Sequence, residues 1–173
     1  VNATLKEKQG MKSTKEEFLE LLSNYQGILH KVCLVYFKNE SDRKDNFQEI
    51  VYQLWRSFPK LQDKGSIGSW MYAVAINTSI SMLRKNSRVD FRETIPEFSD
   101  QSTVFDKIVT DERLRLLLNA IHQLDEVDKS IMLLYLEEKR YEEIAKIIGL
   151  TKSNVGVRIN RAKKQLQQHL KNH

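Results

Sequence analysis

Three observations predict an all-α chain built as two small helical domains. Six glycines and two prolines in 173 residues leave little to interrupt a helix. Apolar residues recur at steps of three and four along most of the chain, and no stretch alternates at period two long enough for a strand. The periodicity lapses between Ser87 and Thr103, where Pro96 lies among Ser, Asp and Glu as in a linker. The division reads 1–13 as a flexible N-terminus, 14–88 as the first domain, 89–107 as an acidic linker and 108–173 as the second domain.

Phe18, Leu21, Leu22, Tyr25, Ile28, Leu29, Val32 and Tyr36 form the stripe of a long helix opening near Thr14. A second helix opens near Asp42, with Phe47, Ile50, Val51, Leu54, Trp55 and Phe58 on one stripe, and is stopped by Pro59. A short loop leads to a third, about 67–86, mostly apolar until Arg84-Lys85 and Arg88. Three such stripes can close a core of their own. Past the linker, Ile108, Leu114, Leu117, Leu118, Ile121 and Leu124 resume the helical period, and four short helices are expected after Thr110. The polar stretch 1–10 lacks the apolar run of a secretory signal, and Met11 offers an alternative start. No apolar run reaches the ~20 residues of a membrane span.

Charge is distributed unevenly. Residues 87–112 hold seven acids against three bases, whereas 144–173 hold seven bases and no acid. A basic end names a polyanionic partner. The lone Cys33 excludes an internal disulfide, fits a reducing, cytoplasmic setting, and falls on an apolar stripe as core filler. Four scattered histidines have no metal-ligand spacing, and no phosphate-cradling glycine loop occurs, so neither a metal nor another cofactor is expected and an enzyme is disfavoured.

The basic end also has a shape. Tyr141-Glu142-Glu143-Ile144-Ala145 opens an apolar helix, Gly149-Leu150-Thr151 makes a turn, and a basic helix follows. That is a helix-turn-helix, whose second helix enters the DNA major groove. Thr151 suits an N-cap. Val155, Ile159, Ala162, Leu166 and Leu170 share one face, to be buried against Ile144, Ile147 and Ile148. Ser153, Val157, Asn160, Arg161 and Lys164 lie opposite, with Lys152, Asn154 and Arg158 on the flanks; these eight are the candidates for DNA contact.

Taken with Leu124-Asp125, Ile131 and Leu134-Tyr135-Leu136, this segment resembles region 4 of bacterial sigma factors, most of all the short extracytoplasmic-function (ECF) type of the sigma-70 family. The first domain resembles region 2 at Asp45-x-x-Gln48-Glu49-Ile50 with Leu54-Trp55, and at Ser69-Trp70-Met71-Tyr72 with Ala75, Asn77 and Arg84-Lys85. The resemblance implies a sigma region 2-like three-helix bundle and a region 4-like helix-turn-helix domain. It implies core RNA polymerase as a partner, through the β′ clamp and the β subunit, with Asp45, Gln48 and Glu49 on the β′ clamp.

It further implies promoter DNA as a partner, duplex and melted. The basic helix would sit on the −35 element; Lys64, Gly65, Ser66, Trp70, Asn77, Arg84, Lys85 and Arg88 would serve the −10 element. Trp70 can stack on a base, although a Trp in an apolar helix ordinarily belongs to the core. Ser81 stands where many relatives carry an acid, and it is given no role. Restraint by an anti-sigma factor, a monomeric free state and no membrane insertion complete the expectation. The acidic linker would space the domains and keep stray DNA off the basic surfaces. The competing reading is a self-sufficient regulator that dimerises on a palindrome and ignores polymerase; the motifs from Asp45 to Asn77 argue against it.

Overall fold

The computed structural model describes residues 13–61, 66–85 and 110–172. In order come α1 (Thr14–Tyr36), α2 (Glu40–Ser57), a 3-10 turn (Phe58–Lys60), α3 (Ile67–Arg84), α4 (Glu112–Ile121), α5 (Glu126–Leu136), α6 (Tyr141–Ile148) and α7 (Lys152–Lys171). The described residues contain no strand, and no helix among them is long and apolar enough to cross a membrane. The expected acidic linker, the N-terminal stretch, Lys64, Gly65 and Arg88 lie outside the described residues.

α1, α2 and α3 pack into a three-helix bundle. Ser13 caps α1 reciprocally: its hydroxyl accepts from the Glu16 backbone N–H, and the Glu16 carboxylate accepts from its own N–H. Phe18, Leu22, Leu29, Ile50, Leu54 and Met71 are fully buried, each such side chain giving about 1.5–3 kcal/mol of burial. Phe18 meets the edges of Trp55 and Phe58 at 5.0 and 5.4 Å, so the 3-10 turn that Pro59 imposes still closes the core. A buried polar link joins all three helices: Asn46 Nδ2 donates to Ser79 Oγ at 2.8 Å and to Cys33 Sγ at 3.3 Å. Cys33 is buried as expected.

The second domain folds around Ile131, Leu134, Ile144 and Ile159, all fully buried. Asp111 and Asp125 cap α4 and α5, each accepting from first-turn backbone N–H groups. α5 ends on Glu138 at φ 58°, with the Lys139 N–H returning to Leu134 O at 3.0 Å. α6 ends on Gly149 at φ 78°, and the Thr151 hydroxyl accepts from the Asn154 N–H at 3.2 Å. Three residues on the expected apolar stripes are not core, Tyr25 and Leu114 among them, at 37% and 41% exposed. The third, Leu170, is 42% exposed, because α7 past Leu166 runs into solvent, with 167–172 exposed throughout.

The two domains do not merely share a chain; they pack on each other, α1 against α4 and α5, and α3 against α6. Glu137, at the end of α5, takes Lys31 Nζ at 2.7 Å and the Tyr72 hydroxyl at 3.1 Å. The Tyr36 hydroxyl donates to Glu126 O at 2.8 Å, and Arg84 Nε donates to Glu126 Oε2 at 2.9 Å. His122 Nε2 donates to Leu34 O at 2.8 Å. Burial, the Glu137 charge and the bond to it all push the Tyr72 hydroxyl's pKa upward, keeping it a donor.

Candidate nucleic-acid interface

Local rules position the basic helix. Gly149 takes the left-handed conformation that turns α6 into α7, a backbone most side chains resist. Gly156 faces Tyr141 of α6, where an added Cβ would sit 3.6 Å from the ring. Val155, Ile159, Ala162 and Leu166 then lock one face of α7 inward. The outward face carries Lys152, Ser153, Asn154, Val157, Asn160, Arg161 and Lys164, all exposed. Lys152 reaches back across the turn to Glu142, an exposed ion pair that holds that carboxyl below its usual range.

Arg158 sits differently from its neighbours. Its guanidinium donates to Asp128 Oδ1 at 2.6 Å and lies 3.5 Å from Asp125, with a quarter of its side chain exposed. Arg161 shares the same carboxylates, at 2.6 Å from Asp128 Oδ2 and 3.4 Å from Asp125 Oδ2. Half of its side chain remains in solvent, and the bond to Asp128 raises its pKa. Burial works against the charge of Asp125, but the Asp128 N–H, Arg158 and Arg161 prevail and hold its carboxyl below the usual range. Lys163 points away from this face, donating to the Tyr135 hydroxyl at 2.6 Å and lying over the ring.

Sequence reasoning passed over Asp128, although a signal was there. Leu124, Asp128, Ile131 and Tyr135 step by four, three and four, so Asp128 occupies an apolar-stripe position. A carboxylate so placed must find a cation or lose its charge.

On α3, Trp70, Asn77 and Arg84 are seven residues apart and so follow one line along the helix. Trp70 is half-buried against the core, Asn77 is exposed, and exposed Arg84 is tied to Glu126. Ser66 precedes the helix, and Lys85 follows it in solvent. On α2, Asp45 and Gln48 are exposed and Glu49 is half-buried, accepting from Gln53 Nε2 at 2.8 Å. The first domain thus carries its own set of polar groups on α2 and α3, and the second carries those of α7. A third feature lies between the domains: a cavity of about 370 Å³ lined by Leu34, Val35, Leu117, Ile121, Leu133 and Leu136.

Two family models divide the chain as the fold does. Residues 21–89 match sigma-70 region 2 and residues 114–166 match sigma-70 region 4. The chain belongs to the sigma-70 family. It is 28% identical over 166 residues to RNA polymerase sigma factor SigV of Bacillus subtilis, covering 94% of this chain and 95% of that protein. It is 27% identical over 165 residues to the ECF RNA polymerase sigma-E factor of Haemophilus influenzae, covering 88% and 87%. The fold of the sigma factor RpoE, solved in complex with the anti-sigma factor NepR from Bartonella quintana, matches with a TM-score of 0.67 at 20% identity, over 90% of this chain and 97% of that one. In sigma-family terms, α1 to α3 are region 2, α4 to α7 are region 4, and Asp128 joins the first half of region 4 to its basic helix.

Proposed function

We propose that this ECF sigma factor binds core RNA polymerase, directs it to promoters carrying matched −35 and −10 elements, and helps melt the latter. The observation that carries this reading is α7: a capped helix with its apolar side locked inward and Ser153, Asn154, Val157, Asn160, Arg161 and Lys164 displayed outward. A helix so mounted fits the major groove, with phosphates held by Lys and Arg and bases met by its first turns. Arg158, held by Asp128, acts in this reading as a strut that fixes the helix on region 4.

The α3 line of Trp70, Asn77 and Arg84, with Ser66 at its head and Lys85 at its tail, is the surface proposed for the −10 strand. Melting needs no bond chemistry from this chain. A surface that holds unstacked bases better than duplex shifts the equilibrium toward the open form. Asp45, Gln48 and Glu49 are proposed to meet the β′ clamp, where carboxylates complement a basic partner helix. The apolar cavity between the regions, with Leu114 and Leu136 exposed at its side, is proposed to receive an apolar helix face of an anti-sigma factor.

Run-off transcription with purified bacterial core polymerase on a genomic promoter library tests the reading. Start sites that depend on this protein and share two spaced motifs are the expected result. No transcripts and no binding to core polymerase would leave the self-sufficient regulator instead.

A further inference from the structure

Val157 is 68% exposed, more than any other large hydrophobic side chain recorded as exposed among the described residues. It stands mid-face on α7, one turn from Ser153, Asn154, Asn160 and Arg161, all exposed and all able to hydrogen-bond. Nothing among the described residues requires an aliphatic group there. The packed stripe of α7 is Val155, Ile159, Ala162 and Leu166, on the opposite side. A β-branched residue also lowers helix propensity, so helix formation does not favour it.

We propose that Val157 reads the C5-methyl of a thymine in the −35 element. The inference rests on the reading of α7 as the helix that enters the major groove there, and it adds the base class. Thymine alone presents a methyl group on the major-groove edge, and aliphatic side chains are its natural partners. In a helix the valine side chain has essentially one χ1 rotamer, so its methyls are already fixed and lose little freedom on contact. The flanking Asn154 and Asn160 can grip neighbouring adenines through N6 and N7, leaving Val157 to discriminate where no hydrogen bond reaches. Arg158, drawn back to Asp128, leaves room beside it.

Replacing thymine by deoxyuridine removes that methyl and leaves every hydrogen-bonding group in place. Each −35 thymine of a cognate promoter would be changed to deoxyuridine singly, and holoenzyme affinity compared for wild type and Val157→Ala. The exposed site should accept alanine without loss of fold, which circular dichroism checks. For wild type, one position should weaken binding about fourfold, from ~0.8 kcal/mol per methyl-sized contact. Val157→Ala should bind both duplexes alike, at the weaker level. Equal wild-type binding to every deoxyuridine duplex, or full discrimination kept by Val157→Ala, overturns the proposal while specific −35 binding stands. A scrambled −35 duplex that competes as well as the cognate one overturns both this proposal and the reading beneath it.

Discussion

Arg158 Nη1 lies 2.6 Å from Oδ1 of Asp128, a carboxylate 1% exposed to solvent, so the pair pins the basic helix to α5 from inside region 4. Breaking a buried pair costs more than the pair contributes, because the surviving charge is stranded. Arg158 is a quarter exposed and can partly rehydrate, which lowers that cost. Asp128→Ala should therefore destabilise the protein by about 2–3 kcal/mol. Urea denaturation reads this as a lowered midpoint at unchanged slope. A loss below about 0.5 kcal/mol, the range of ordinary surface substitutions, would mean that the pair does not hold the helix.

Glu137 ties region 4 to region 2 through Lys31 of α1 and Tyr72 of α3. The Lys31 and Glu137 side chains are 40% and 27% exposed, so the pair contributes on the order of 1 kcal/mol and is screened by salt. The −10 and −35 elements lie about 25 base pairs apart, roughly 85 Å at 3.4 Å per pair. α1, among the longest helices here with 23 residues, spans only about 34 Å. On the proposed promoter reading, regions 2 and 4 part to reach both elements. Glu137→Lys sets two cations against each other and should raise the radius of gyration in small-angle scattering with helicity unchanged. An unaltered radius would show that the apolar contacts alone keep the domains together.

Two left-handed residues carry opposite predictions. An added Cβ at Gly149 meets no atom within 4 Å, so Gly149→Ala costs only backbone strain, about 1–2 kcal/mol. Glu138 already bears that strain at φ 58°, and Glu138→Gly should recover about 1 kcal/mol. Chemical denaturation of both variants checks the signs. Two shifts in the same direction would contradict the backbone argument.

What the sequence made legible is what neighbours in sequence decide. Gly149, the Thr151 cap and the stripe from Val155 to Leu166 follow from rules acting within two turns, and each stands as read. Leu170 failed because periodicity says which way a side chain points, not whether anything is there to cover it. Arg158 was legible as a cation but not as a strut, since its partner lies 30 residues away. The contact of region 2 with region 4 was invisible for the same reason: Lys31 and Glu137 are 106 residues apart and look like ordinary surface charges.

His122 makes that contact sensitive to acid. Its Nε2–H donates to Leu34 O across the domain boundary, at 2.8 Å. Burial lowers its pKa; the Leu34 carbonyl opposes this in part, and the charges of Lys129, Lys38 and Arg43 add to the lowering. The folded value therefore lies below the unfolded one, about 6.5. Between the two, the unfolded chain binds more protons, so stability rises with pH. The contribution is complete above about pH 6.5 and is lost as the pH falls toward the folded pKa. Asp125, Glu142 and Glu143, held below the ordinary carboxylate range, stay ionised throughout that window and do not obscure it. Wild type should lose denaturation midpoint from pH 7.5 to 5.5. His122→Gln, which keeps a donor for Leu34 but cannot take up a proton, should lose less. Parallel losses in the two proteins would place the acid sensitivity elsewhere.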